Sequence, residues 1–258
     1  MGRGFSLLAC AETDVGLKRR RNEDSYLAAE GAVARISNDR QGAVFAVADG
    51  MGGHPGGDVA SRMAVQDLEE YYHIEEGDID GDCRRLLDHL EKTIYAIHDH
   101  IAAYGRHHPE MEGLGTTLSV LALAGGRALM AHVGDSRIYR LRQGRLEQMT
   151  SDHTLVGYFV ESGVMTDEEA RRHPLRHVMM QAVGHGVDEV FTRVEKLRRG
   201  DMFLLCSDGL HDRVPPEEIR EILLDEGEHG RICRRLVESA LRHGGRDNVT
   251  VVAIRVVG

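Results

Sequence analysis

Apolar positions along this chain recur with two different periods. The run "AVFAVA" (43–48) is short and continuous, the pattern of a strand covered on both faces. From Asp58 to about Tyr72, Val59, Met63, Leu68 and Tyr71 fall at helical spacing. A stronger stripe of Leu86, Leu87, Leu90, Ile94, Ile97 and Ile101 predicts a helix from Asp82 to about Tyr104 with one core-facing side. His98 and His100 within it are two positions apart and point to different faces, which argues against a shared metal. Three β-like runs follow, "TTLSVLALA" (116–124), "RALMAHV" (127–133) and "RIYRLRQGRLEQMT" (137–150). Gly125-Gly126, Gly134 and Gln143-Gly144 divide them, and such close turns predict antiparallel hairpins.

The next stretch, Asp152 to Pro174, is polar and irregular, with one small helix seeded by "TDEEARR", where Thr166 and Glu169 have capping-box spacing. Late strands "DMFLLCS" (201–207) and "NVTVVAIRV" (248–256) flank helices at "PPEEIREILL" (215–224) and "RICRRLVESALRH" (231–243). Pro215 and Pro216 are tolerable only in the first turn of the former. With no internal repeat and no low-complexity linker, the pattern predicts one α+β domain.

Composition narrows the function. Of 258 residues, 41% are apolar, enough for a sizeable core, and the net charge of −10 argues against nucleic acid or an anionic membrane surface as partner. The four cysteines, Cys10, Cys83, Cys206 and Cys233, form no CxxC pair, and none has an Arg six positions later. A zinc knuckle, a thioredoxin-like site and a cysteine-phosphatase loop are thereby disfavoured. Cys206, inside "MFLLCS", reads as a buried small hydrophobe. There is no signal peptide, and no apolar stretch approaches the ~20 residues of a membrane helix. The expectation is a soluble, cytoplasmic protein. Only three lysines stand among many arginines, a hint of a GC-rich bacterial genome.

Acids recur at the ends of apolar runs or in the turns beside them. They are Glu23-Asp24 in "RRRNEDSY", Asp49 in "VADGMGG", Asp135 in "HVGDSR", Asp208 in "LLCSDGL" and Asp247 in "GRDNVTVV". Singly, each is explained by turn chemistry. Gathered at one sheet edge they would repel one another unless hard cations such as Mg²⁺ or Mn²⁺ sat among them. The loop "GMGGHPG" also fits a GxGxxxG dinucleotide-binding variant. Asp49 would then face a pyrophosphate, and no second strand ending in an acid follows about 20 residues later, as that fold requires.

In the order "RRRNED", "VADGMGGHPGGDVAS", "GLGTTL", "AHVGDSRIYRLRQGRLEQMTSDH", "LLCSDGL" and "RDNVTVV", the chain resembles the metal-dependent protein serine/threonine phosphatases, the PPM or type 2C family, from about Thr13 to Val256. It is similar to the lean bacterial form, a single catalytic domain spanning 1–258 with a flap at about 154–180. The resemblance implies two packed antiparallel sheets with helices on both outer faces. It implies two divalent cations, Mn²⁺ or Mg²⁺. Asp49 bridges them, the Gly50 carbonyl serves one, Asp208 and Asp247 hold the first, and Asp24 and Glu23 bind around the pair, Glu23 largely through water. Asp135, with Asp208, matches a third and weaker site. Arg19 matches the phosphate-binding arginine, although Arg20 and Arg21 are close by, and His54 matches the proposed general acid. The implied reaction is hydrolysis of phosphoserine or phosphothreonine by a metal-bridging hydroxide. The implied partners are phosphoproteins, with a serine/threonine kinase or its targets the natural substrate, and the expected state is a monomer.

Each of these roles has a plainer competitor. Arg19 could be one solvated member of the "KRRR" run. His54 could be a turn residue ahead of Pro55. A pseudophosphatase that binds without turnover would lack a bridging acid, and every such acid is present. Two departures stand out. His177, Met180 and Gln181 replace the usual Asn, Thr and Arg in "HPLRHVMMQAVG" (173–184), which leaves substrate preference open. Asp58 replaces a commoner Glu, and at a helix start either acid suits the dipole.

Overall fold

The computed structural model describes residues 5–28, 34–36, 42–51, 56–74, 83–225 and 230–257. Eleven strands are seen among these residues: β1 (Phe5–Asp14), β2 (Asp24–Leu27), β3 (Ala34–Ile36), β4 (Ala43–Asp49), β5 (Leu118–Ala124), β6 (Arg127–Val133), β7 (Arg137–Arg142), β8 (Arg145–Gln148), β9 (Phe191–Lys196), β10 (Met202–Cys206) and β11 (Val249–Val257). Helices are α1 (Gly57–Ile74), α2 (Cys83–His107), α3 (Leu155–Glu161), α4 (Asp167–Arg172), α5 (Asp208–His211), α6 (Pro216–Leu224) and α7 (Gly230–Arg242). The strands make two antiparallel sheets, of order β3-β1-β11-β10-β7-β8 and β2-β4-β5-β6-β9.

Alternation along single strands builds the layers. In β5, Leu118, Val120, Ala122 and Ala124 face α1 and α2, while Leu121 and Leu123 face the other sheet. That is why its sequence reads as unbroken hydrophobe: both faces are covered. In β10, Phe203 and Leu205 enter the space between the sheets, and Met202, Leu204 and Cys206 face α6 and α7. The result is the helix–sheet–sheet–helix sandwich the resemblance implies. The α2 stripe is buried as expected at Leu86, Leu90, Ile94, Ile97 and Ile101, with Leu87 at its margin. His98 and His100 diverge: the first accepts from the Gly184 N–H at 3.0 Å and the second meets Asp67 at 2.7 Å.

One predicted turn does something different. Gly125-Gly126 and Gln143-Gly144 close true hairpins, β5–β6 and β7–β8. Gly134 does not, because β6 pairs with β5 and β9 while β7 pairs with β8 and β10. The chain there crosses from one sheet to the other. Gly134 has φ +113°, and a Cβ on it would lie 2.6 Å from Thr117 Cβ, so glycine alone permits the crossing. The stretch 152–174 also carries a helix not foreseen, α3, capped by the Thr154 hydroxyl, which accepts from the Gly157 N–H at 3.1 Å. The predicted Thr166–Glu169 capping box at α4 is formed in both directions.

Candidate metal centre

Asp24 and Asp49 are direct partners across β2 and β4. Glu23 and Gly50 flank them, and the Gly50 N–H donates to the Glu23 carbonyl at 3.0 Å. A Cβ on Gly50 would stand 2.2 Å from the Gly57 carbonyl oxygen and 2.6 Å from that of Glu23, so only glycine lets these segments meet. The backbone of Asp49 is anchored by its neighbour strand. Its N–H donates to the Thr117 hydroxyl at 2.9 Å, and its carbonyl accepts from the Thr117 N–H and the Thr116 hydroxyl, both at 2.9 Å.

The opposite wall comes from the second sheet. Asp208 follows β10 directly, and Ser207 before it donates its hydroxyl to Asp24 Oδ2 at 2.8 Å. Asn248, next to Asp247, stitches three segments together. Its Oδ1 accepts from the Glu23 N–H at 2.8 Å, and its Nδ2 donates to the carbonyls of Val15 and Arg21 at 2.9 Å each. Asp135 lies just past the Gly134 crossing. Beside it opens a cavity of about 760 Å³ bordered by Arg137, Asp152, Arg171, Arg176, His177 and Asp212.

Proximity shows in the ionisation of these acids. Burial first, and then the neighbouring carboxylates, push Asp49 and Asp208 well above the ordinary range. Burial likewise raises Asp24 to about 6, partly opposed by the Ser207 hydroxyl, and Asp135 to about 7. Glu23 is raised too, by burial. Little positive charge answers them. Arg137 is committed to a bidentate pair with Asp152, with contacts of 2.6–3.1 Å. Asp24 Oδ1 is buried and has no hydrogen-bond partner among the described residues. A group of oxygens that repel one another, one of them unpartnered and beside a glycine-only cradle, fits a hard divalent cation.

Arg19 is in place but occupied. Its Nε and Nη2 grip Asp247 Oδ1 and Oδ2 at 2.8 Å each, while Arg20 and Arg21 are exposed. His54 lies outside the described residues. Glu23, Asp24, Asp49, Gly50, Asp135, Asp208, Asp247 and Arg19 are therefore brought to one place. Sequence reading missed Ser207, Thr117 and Asn248; the one signal available was the pairing of Asn248 with Asp247 at the start of a buried strand. Of the unusual residues, Gln181 accepts from the Asp188 and Glu189 N–H groups at 2.8 and 3.0 Å, Met180 is exposed, and His177 faces Asp212.

A two-sheet sandwich with carboxylates of both sheets converging at one end defines a cation-dependent class of protein. A family model described as protein phosphatase 2C matches residues 20–242. Serine/threonine protein phosphatase PstP of Mycobacterium tuberculosis is 44% identical over 248 residues, which is 96% of this chain and 44% of that protein. This chain thus spans less than half the length of that relative. Serine/threonine phosphatase stp of Listeria monocytogenes is 36% identical over 243 residues, 94% of this chain and 93% of the relative. The solved catalytic domain of PstP in complex with two manganese ions superposes with TM-score 0.82 at 41% identity, covering 98% of this chain and all of that one. The chain belongs to the protein phosphatase 2C family.

Proposed function

We propose that this chain is a single catalytic domain that hydrolyses phosphoserine and phosphothreonine in proteins, opposing a serine/threonine kinase, as a cytoplasmic monomer. The observation that carries it is the convergence of Asp24, Asp49, Asp135, Asp208 and Asp247 with Arg19 as the adjoining cation. Asp49, the Gly50 carbonyl, Asp208, Asp247, Asp24 and Glu23 would hold two Mn²⁺ or Mg²⁺ ions, with a third and weaker one at Asp135 and Asp208. When bound, such ions act as Lewis acids that lower the pKa of water and neutralise phosphoryl charge.

The chain's own groups do the rest. Arg19 presents a planar fork suited to two phosphoryl oxygens. To do so it must leave Asp247, and a pair whose side chains are 39% and 33% exposed contributes only about 1 kcal/mol or less. Exchanging Asp247 for a phosphoryl group is thus inexpensive for Arg19, and it frees Asp247 to face a cation. Asn248 and Ser207 hold Glu23 and Asp24 in position without touching substrate. His54 is the proton donor to the departing serine or threonine oxygen. Segment 154–180, the flap, borders the cavity beside Asp135, where a phosphopeptide has room to lie.

The test is metal stripping. Protein treated with EDTA should lose hydrolysis of p-nitrophenyl phosphate and of a phosphothreonine peptide, and regain both with Mn²⁺ or Mg²⁺. Undiminished turnover after thorough stripping overturns the reading.

A further inference from the structure

On the outer face of the first sheet, away from the acid cluster, β1 and α7 hold two thiols in contact. Along β1, Leu7, Ala9 and Ala11 turn into the space between the sheets, and Cys10 turns the other way, under α7. α7 lies across β1 and β11 with Ile232, Cys233, Leu236, Val237 and Ala240 on its buried side. The Cys10 and Cys233 sulfurs stand 2.8 Å apart although 223 positions separate them along the chain. The Cys233 thiol donates to the Cys10 carbonyl at 3.0 Å. With that proton committed, the Cys10 thiol is the donor to Cys233 Sγ. A backbone contact therefore anchors Cys233 with a sulfur lone pair facing the other thiol.

The two cysteines differ in exposure. Cys233 is fully buried and Cys10 is part exposed, so a solute reaches Cys10 first. Burial, and then Cys10 beside it, hold the Cys233 thiol well above the ordinary range and keep it protonated. The other cysteines are placed differently. Cys206 is buried within β10, and Cys83 opens α2 against the opposite sheet.

We propose that Cys10 and Cys233 are a site of reversible oxidation, at which a hydroperoxide converts the two thiols into a disulfide that staples α7 to β1. Cys10 Sγ attacks a peroxide oxygen. An S–O bond forms, the O–O bond breaks, and the thiol proton leaves with the departing oxygen as water or alcohol, giving a Cys10 sulfenic acid. Cys233 Sγ then attacks the Cys10 sulfur. The S–S bond forms, the S–O bond breaks, and the hydroxyl leaves with the Cys233 proton as water. The peroxide is reduced by two electrons, one drawn from each sulfur. Only a short approach is needed, from 2.8 Å to the ~2.0 Å of a disulfide bond. A dithiol reverses the change by exchange. β1 runs on into the loop that carries Arg19, and α7 into the loop that carries Asp247. Those loops are joined where the Leu17 N–H donates to the Gly245 carbonyl at 2.7 Å, so the staple reinforces the pair of elements that hold this wall of the centre.

None of this depends on phosphatase activity, so bonds and melting are read directly. Folded protein is treated with hydrogen peroxide, quenched with catalase, alkylated in denaturant and weighed. It should be lighter by a pair of hydrogens than reduced protein before alkylation. Cys83 and Cys206 should still alkylate, and digestion should give a Cys10–Cys233 crosslinked peptide that dithiothreitol releases. Closing so long a loop should raise the melting temperature by about 4–16 °C over dithiothreitol-treated protein. Cys10→Ser should gain neither the crosslink nor the shift. Cys233→Ala should stop at a Cys10 sulfenic acid that dimedone captures. Cys10→Ser, at a part-exposed position, keeps the test decisive should Cys233→Ala fail to fold. All four cysteines alkylating after peroxide, a crosslink through Cys83 or Cys206, a crosslink without gain in melting temperature, or a shift that persists in Cys10→Ser would each overturn the staple.

Discussion

Asp24 and Asp49 stand directly opposite one another on antiparallel strands β2 and β4, two carboxylates where sheet pairing favours opposite charge. Burial, and then the charge of Asp24 and the other nearby acids, push Asp49 well above the ordinary range, so the two carboxyls repel as both ionise. Asp49→Asn should therefore raise the melting temperature of the metal-stripped protein while it destroys Mn²⁺ binding. Relief of about 1 kcal/mol corresponds to about 2–4 °C for a chain of this size. Thermal melts in EDTA and titration calorimetry with Mn²⁺ check it. A variant less stable in EDTA, with Mn²⁺ affinity intact, would mean the pair is structural.

The same repulsion gives a pH dependence of definite sign. In the folded chain Asp24 titrates at about 6 and Asp135 at about 7, against an ordinary 3.8. Raised carboxyl pKa values mean that the folded state binds more protons than the unfolded one, so their contribution is present below pH 4 and lost as pH rises through 6 and 7. Buried neutral His132 and His211, lowered to about 3 and about 4, act in the opposite sense up to the ordinary histidine value of 6.5, so the carboxylates govern alone above it, and metal-stripped protein should melt at lower temperature at pH 8 than at pH 6.5. Saturating Mn²⁺ should remove the difference, since cations favour the ionised form. Asp152, held low by Arg137 despite its burial, acts in the opposite sense only in more acidic solution. A flat or rising profile between pH 6.5 and 8 in EDTA would contradict the electrostatic account.

Asn248 should behave as a positioning residue. Removing its amide leaves the Glu23 N–H and the Val15 and Arg21 carbonyls without these partners. At about 1 kcal/mol per bond, Asn248→Ala should cost about 2–4 kcal/mol and weaken Mn²⁺ binding through Glu23 and Asp24. Asn248→Asp should fail as well, because a carboxylate cannot donate to two carbonyls. Urea denaturation and Mn²⁺ titration of both variants decide. Rescue by Asp would show that only the Oδ1 contact matters.

Arg19→Ala should raise KM more than it lowers kcat, the signature of a contact made equally in ground and transition states. Arg20→Ala and Arg21→Ala should change little, since neither occupies the place where Arg19 meets Asp247. Comparable effects from all three would reduce Arg19 to one charge in a diffuse basic run.

His54 can be tested by leaving group. A serine or threonine oxygen needs a proton as it departs, and p-nitrophenolate does not. His54→Ala should slow phosphopeptide hydrolysis by about 10²-fold or more and p-nitrophenyl phosphate far less. A parallel fall in both kcat values would assign His54 to shaping the loop.

Much of this was legible along the chain because it is local. Continuous apolar runs marked β4, β5, β6, β10 and β11, which are covered on both faces, and period-3.6 hydrophobicity marked α2, α6 and α7, each of which buries one face. Acids at the ends of apolar runs were visible for the same reason, and their order carried the family resemblance. The edges were not legible. β9, an edge strand whose part-buried Arg193 and Glu195 form an ion network with Arg140 and Glu147 of the other sheet while Val194 is exposed, lacks the apolar signal of a central strand. Gly134 announced a turn, and only the sheet pairing showed that it changes sheets. Only the tertiary structure decided that Asp24 would face Asp49, that Arg19 would reach Asp247 across 228 positions, and that His177 would meet Asp212. Such contacts depend on strand register and on which sheet receives each strand. Those choices are fixed by burial of the whole sandwich, and no stretch of neighbouring residues contains them.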